Sequence, residues 1–236
     1  MKVAIYNDTF LAARPHFGCE LVMTTFKEQL DRVGIELVGT VSLNDRNPKH
    51  KILEKADLVI VNGEGSFHHN RRNDLAEVSK YFPSILINTV FEDNFVDLSK
   101  FRYISARETV SATNLKCDLI PDIILTSNIL ETLPEKRVIP GIGVGHIRHS
   151  GSSLLTLQSL DLFIAALCKY SSVTSESFHG ILVSHILGIP CDQVLPGSGV
   201  EWKTFSVAKD IESTHNYLET GRNKINNLFE NLHTFT

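Results

Sequence analysis

The segment from Thr174 to Pro190, T-S-E-S-F-H-G-I-L-V-S-H-I-L-G-I-P, sets a polar elbow containing His179 against an apolar helical pattern. Ile181, Leu182, Ile186, Leu187 and Ile189 recur at helical spacing, and Ser175 and Ser177 are both suited to cap the helix ahead of them. Free N–H groups and the helix dipole draw anions to such an N-terminus. A phosphate or carboxylate held there would meet an imidazole able to donate a hydrogen bond or a proton. The same pattern also describes a capped core helix whose histidine is merely satisfied.

Other residues could join that chemistry. In N-G-E-G-S-F-H-H, Gly63 and Gly65 allow a tight turn and close approach of the backbone to a ligand, Ser66 could cap a following helix, and His68 and His69 stand at the mouth. A plain glycine-rich turn with exposed histidines fits those residues as well. Arg107 follows the apolar run Y-I-S-A, which places a guanidinium where an anionic substrate would lie; it could equally pair with Asp122 or Glu108 on the surface. Arg148, beside His146 and His149, reads as a second cation or as a solvated loop residue. The run H-N-R-R-N at 69–73 could touch a phosphorylated acceptor, although short basic turns are usually just solvated. Trp202, the only tryptophan, follows P-G-S-G at 196–199 and could stack on a sugar or plug a seam between domains.

The 236 residues that must position these groups are 42% hydrophobic and 21% charged, without repeats or low-complexity runs, as in an ordinary globular protein with a substantial core. A formal charge of -4 offers no general attraction to nucleic acid or an anionic membrane, so neither is an expected partner. The opening M-K-V-A-I-Y-N-D lacks the features of a signal peptide, and no stretch approaches the ~20 apolar residues of a membrane span. Cys19, Cys117, Cys168 and Cys191 show no C-x-x-C spacing, so the expectation is reduced thiols in a cytoplasmic protein, with no metal site.

Apolar runs at 3–6, 35–41, 57–62, 84–88, 103–106 and 117–120 read as strands, with helices expected at about 20–32, 48–55, 75–81 and 108–114. That alternation describes an open, doubly wound α/β sheet over residues 1–133. After a polar break at 126–136, residues 134–236 read as a second, small domain: strand 138–144, loop 145–153, helix 154–170, strand 172–174, the helix after His179, strand 191–195 and a helix at 213–233. Ligands in such folds bind beyond the carboxyl ends of the strands, where the unusual residues cluster.

Four segments in order resemble the polysaccharide pyruvyl transferases: H-F-G-C-E-L-V at 16–22, L-V-I-V-N-G-E-G-S-F-H at 58–68, S-A-R-E-T-V-S with P-D at 105–111 and 121–122, and T-S-E-S-F-H-G to G-I-P at 174–190. Together they span most of the chain. The resemblance implies two Rossmann-like domains facing a cleft, the glycosyltransferase B type, without a metal or other cofactor. The implied reaction transfers pyruvyl from phosphoenolpyruvate to a sugar hydroxyl pair of a glycan or glycosylated acceptor, as a ketal. Carried over, His179 would bind the donor and protonate its vinyl carbon, Arg107 would neutralise its phosphate or carboxylate, and His68 would contact the donor or act as base. Gly63, Gly65, Ser66, Arg148, Ser177 and Gly180 are then expected at the donor, and His16, Asn7 and Trp202 at the acceptor. Ser177 stands where many members place an arginine, the N-terminal loop lacks the usual glycine and aspartate pair, and the chain is shorter than the usual member. Two other readings fit this architecture: a glycosyltransferase with a nucleotide-sugar donor, its ribose held by Glu176 or Glu201, and a sugar-binding protein without turnover.

Overall fold

The structure is a computed structural model that describes residues 1–11, 17–67, 70–133, 141–147, 159–194 and 210–236. The apolar runs form β1 (Lys2–Asp8), β2 (Glu36–Ser42), β3 (Leu58–Asn62), β4 (Ser84–Thr89), β5 (Tyr103–Ala106) and β6 (Asp118–Leu119). They pair in the order β2-β1-β3-β4-β5-β6, every pairing parallel. A second parallel sheet holds β7 (Val144–Ile147), β8 (Ser172–Ser175) and β9 (Cys191–Gln193) in that order.

The pleat splits the central runs of the large sheet, those of β1, β3 and β4, between two cores. Val3, Ile5, Leu58, Ile60 and Ile85 face one way, and Ala4, Tyr6, Val59, Val61 and Leu86 the other. Both faces are therefore buried, which is why these strands read as unbroken apolar runs.

On the first face lies α1 (Phe17–Arg32), which buries Leu21, Val22, Phe26 and Leu30. Its Phe17 ring stacks on Phe163 of α4 (Leu160–Leu167) with centroids 3.6 Å apart, and Glu20 accepts the Leu160 N–H at 2.9 Å. From the far end of the chain, α6 (Ile211–Glu230) returns to the same face, where Phe229 meets Phe26 and Glu230 pairs with Arg32 at 2.8 Å. One buried cluster thus runs from β1 and α1 through α4 and α5 (Phe178–Ile186) to α6, joining both sheets.

Several elements differ from expectation. On the second face, 3-10 helices at Leu53–Lys55 and Asn73–Lys80 replace the helices expected at 48–55 and 75–81. Leu75 and Val78 are both fully buried, and a 3-10 helix stacks residues three apart on one line. The polar break at 126–136 is preceded by a 3-10 turn at Ile123–Thr126 and contains α3 (Asn128–Thr132), capped by Ser127. Strand β7 begins at Val144, where 138–144 was expected to be strand and 145–153 loop. Pairing with β8 begins there, and Gly145 lies so close to Tyr170 that an added Cβ would meet its ring at 2.7 Å. Residues 138–140 of the expected strand and 154–158 of the expected helix lie outside the described residues. No described helix is long and apolar enough to cross a membrane.

Candidate functional site

Because every strand pairing is parallel, the carboxyl ends of each sheet lie along one edge. Arg107 leaves the end of β5 and is followed by Glu108, whose carboxylate accepts the Val110 and Ser111 N–H groups, both at 2.7 Å, and so caps α2 (Thr109–Leu115). Beyond β6, Asp122 caps the 3-10 turn through the Ile124 N–H at 3.1 Å. From β8 the chain passes through the elbow of Ser175 to Ser177. The Ser175 hydroxyl accepts the Ser177 N–H and donates to the Ser177 carbonyl, both at 2.9 Å, while Ser177 caps α5 by accepting from Gly180 N–H at 3.4 Å. Only glycine fits at 180, since a Cβ there would sit 2.7 Å from Ser175 Oγ. The elbow thereby presents His179 in the first turn of α5, and no described hydrogen bond uses the Phe178 and His179 N–H groups.

These segments converge on one oxygen. Arg107 Nη1 donates to Asp122 Oδ2 at 2.5 Å, and His179 Nε2 lies 3.3 Å from that same oxygen. Arg107, Asp122 and His179 are 3%, 0% and 4% exposed. The guanidinium also lies over the Phe178 ring, 4.8 Å from its centroid. Arg107 therefore pairs with Asp122, but inside the protein rather than on its surface, and Glu108 is engaged elsewhere. Burial alone pushes the Asp122 carboxyl up; Arg107, His179 and the Ile124 N–H overcome it and hold that carboxyl at about 2. Asp122 is thus a permanent anion at neutral pH, able to fix the orientation of the imidazole. Arg107 Nε, Thr89 Oγ1 and Ser105 Oγ, at the ends of β4 and β5, are buried without hydrogen-bond partners among the described residues.

The residues expected around the donor and acceptor separate into groups. Gly63 packs β3 against β4, since a Cβ there would meet Thr89 Cβ at 2.4 Å. Ser66 closes a turn on the Gly63 carbonyl, and its hydroxyl takes a hydrogen bond from Asn7 at 3.0 Å in place of the expected helix cap. Gly65 is exposed beside it. Asn7, with φ of 72°, is fully buried; its amide donates to the Asn62 carbonyl at 2.6 Å and its Oδ1 accepts from Arg72 at 3.1 Å. His16, His68, Arg148 and Trp202 lie outside the described residues, as do His69, His149 and Glu201. His146 bonds Thr174 at 2.8 Å through Nδ1.

Sequence reasoning gave Asp122 no place in the site and missed Tyr217 altogether. The Tyr217 hydroxyl accepts the Asp122 N–H and donates to the Arg107 carbonyl, each at 3.1 Å, and burial pushes its phenol upward, with the Asp122 charge adding to the shift. One turn later Gly221 brings α6 against Pro121 and Leu125, where a Cβ would come within 2.6 Å of Leu125 Cδ1. A glycine inside a helical pattern is the available signal for that contact.

No protein-family model matches the chain, and no curated protein does. Solved structures do. The UDP-GlcNAc 2-epimerase of Methanocaldococcus jannaschii, in complex with UDP-GlcNAc and UDP, is similar with a TM-score of 0.57 at 12% identity over 100% of both chains. A second structure of that epimerase gives 0.52 at 12% identity, covering 95% of this chain and 93% of the other. An uncharacterised protein of Klebsiella pneumoniae gives 0.55 at 12% identity, covering 92% and 88%. The chain shares their parallel α/β fold.

Proposed function

We propose that the chain transfers the pyruvyl group of phosphoenolpyruvate to a pair of sugar hydroxyls as a ketal, in a glycosyltransferase B arrangement of two Rossmann-like halves. The observation that carries this reading is the meeting of Arg107 and His179 at one oxygen of Asp122. The three residues come from the S-A-R-E, S-F-H-G and P-D segments, 15 and 57 positions from Asp122. Segments that resemble the pyruvyl transferases separately thereby form one cluster.

In this reading the donor's anionic groups lie at the N-terminus of α5, against the Phe178 and His179 N–H groups and Arg107. Asp122 accepts the Nε2 proton of His179, which leaves Nδ1 toward the reacting atoms, the logic of a histidine oriented by a carboxylate. With its imidazole also protonated at Nδ1, His179 as general acid delivers that Nδ1 proton to the methylene carbon, and the adjacent carbon becomes the electrophile. Two bonds form from that carbon to the sugar oxygens as its bond to phosphate oxygen breaks. Of the two hydroxyl protons released, one replaces the proton now in the methyl group and the other leaves with phosphate.

A thermal-shift titration with phosphoenolpyruvate tests the assignment. Stabilisation of the wild type that vanishes in His179→Ala, with transfer abolished in both His179→Ala and Arg107→Ala, is the expected result. Wild-type turnover in either variant removes these residues from the site.

A second reading, an enzyme of nucleotide sugars, is favoured by the fold shared with an epimerase crystallised with UDP-GlcNAc and UDP. Its diphosphate would occupy the same helix N-terminus. Stabilisation by UDP-GlcNAc without any by phosphoenolpyruvate decides for it.

A further inference from the structure

A cavity of about 740 Å³ opens at the carboxyl ends of β2 and β3, walled in part by Leu43, Arg46, Gly65, Ser66, Arg71 and Arg72. Arg72 is its fixed member. The guanidinium donates to the Leu43 carbonyl at 2.8 Å, to Asn7 Oδ1 at 3.1 Å and to Asp74 Oδ2 at 3.1 Å, and Asp74 neutralises it. Arg46 and Arg71 are exposed, and neither has an ion-pair partner among the described residues. Among the described residues no carboxylate lines the cavity, and within that set the charges of Arg46 and Arg71 face it uncompensated.

A buried donor faces the same space. Ser66 is only 9% exposed; its oxygen accepts the Asn7 amide at 3.0 Å, and its O–H has no acceptor among the described residues. The surrounding backbone is strained as well, with left-handed φ values at Glu64 (27°), Asn70 (56°) and Arg72 (43°). Strain of this kind gathers at ligand sites, where the rest of the fold holds it in place.

The geometry points to a second anion site, which seats the phosphate of a phosphorylated sugar and makes the acceptor of the reaction an anionic one. The acceptor role rests on the proposed transfer. Two free guanidiniums match the double charge and several acceptor oxygens of a phosphate monoester, and the Ser66 hydroxyl supplies a further donor. The cavity volume falls within the range of small-ligand sites. Only β4 separates the ends of β3 and β5, so two strand spacings, about 10 Å, lie between the Ser66 turn and Arg107. A sugar bound by its phosphate at one end of that interval can present its hydroxyls toward the other.

Isothermal titration calorimetry of the full chain tests this with glucose 1-phosphate and inorganic phosphate, beside glucose, glucuronate and UDP. The expected result is binding of glucose 1-phosphate, none of glucose, and affinity that falls as salt rises. The Arg46→Ala/Arg71→Ala double variant should weaken glucose 1-phosphate at least about tenfold, the scale of lost charged hydrogen bonds. Its affinity for phosphoenolpyruvate should stay within about twofold, while His179→Ala should show the reverse pattern. Failure of phosphoenolpyruvate to respond to His179→Ala, with the glucose 1-phosphate pattern intact, strikes the donor reading and leaves the anion site standing. The proposal is overturned if the double variant binds glucose 1-phosphate as the wild type does, or if neither phosphate probe binds. Equal loss in His179→Ala would also overturn it, because the phosphate would then be occupying the donor site. Glucuronate binding as tightly as glucose 1-phosphate excludes phosphate as the recognised group. Loss of UDP in place of glucose 1-phosphate in the double variant excludes a sugar acceptor.

Discussion

Arg107 and Arg46 stand on the same carboxyl edge of the six-stranded sheet, and their charges are handled in opposite ways. Arg107 is buried, stacked on Phe178 and matched by Asp122. Arg46 is exposed, with no carboxylate beside it in the cavity wall among the described residues. A desolvated pair of charges depends on its geometry, since either partner alone would be a buried ion without compensation. An open cation depends on little else in the fold and acts at a distance, weakened by salt. The first arrangement suits a step that must orient a reacting group, the second the capture of an anion. Arg72 lies between them, held by Asp74, Leu43 and Asn7 yet lining the cavity.

The contrast can be broken most severely at Asp122. Asp122→Ala leaves the Arg107 guanidinium buried without its counterion and should destabilise the protein by about 3–5 kcal/mol in chemical denaturation. A loss below about 1 kcal/mol would mean that the cluster is more hydrated than its burial indicates. Acid sharpens the same point without mutation. Unfolded, an aspartate titrates near 3.9, whereas Asp122 in the fold titrates at about 2. Its stabilisation is therefore complete above about pH 4 and is lost as the pH falls through about 2, a contribution of about 2–3 kcal/mol. Denaturation midpoints of wild type and Asp122→Asn should converge over that window. At the open end of the edge, the Arg46→Ala/Arg71→Ala pair should alter stability by no more than about 0.5 kcal/mol while changing ligand affinity. A large stability loss there would show that those charges hold structure.

The central strands of the six-stranded sheet were legible in the sequence because strands buried on both faces carry apolar side chains at successive positions, as Leu58 to Val61 do. The cap of α5 was legible for a local reason too, a serine three residues before Gly180. The 3-10 helix at Asn73–Lys80 was not, because three-residue and four-residue spacings cannot be told apart in so short an apolar pattern. Asp122 and Tyr217 escaped for a different reason. Each makes its decisive contact across a long stretch of chain, and neither residue's surroundings in sequence announce the partner. The Asp122 carboxylate reads locally as the cap of a turn, which it also is.

The Tyr217 bridge places a limit on when the cluster can exist. Synthesis proceeds from the N-terminus and earlier elements tend to fold first. Asp122 precedes Tyr217 by 95 residues and Arg107 precedes it by 110. A nascent chain that already contains β1 to β6 therefore carries the guanidinium and the carboxylate without the phenol that ties their backbones together. The cluster is completed only once α6 has left the ribosome and docked, so its geometry is set later than the sheet that bears it.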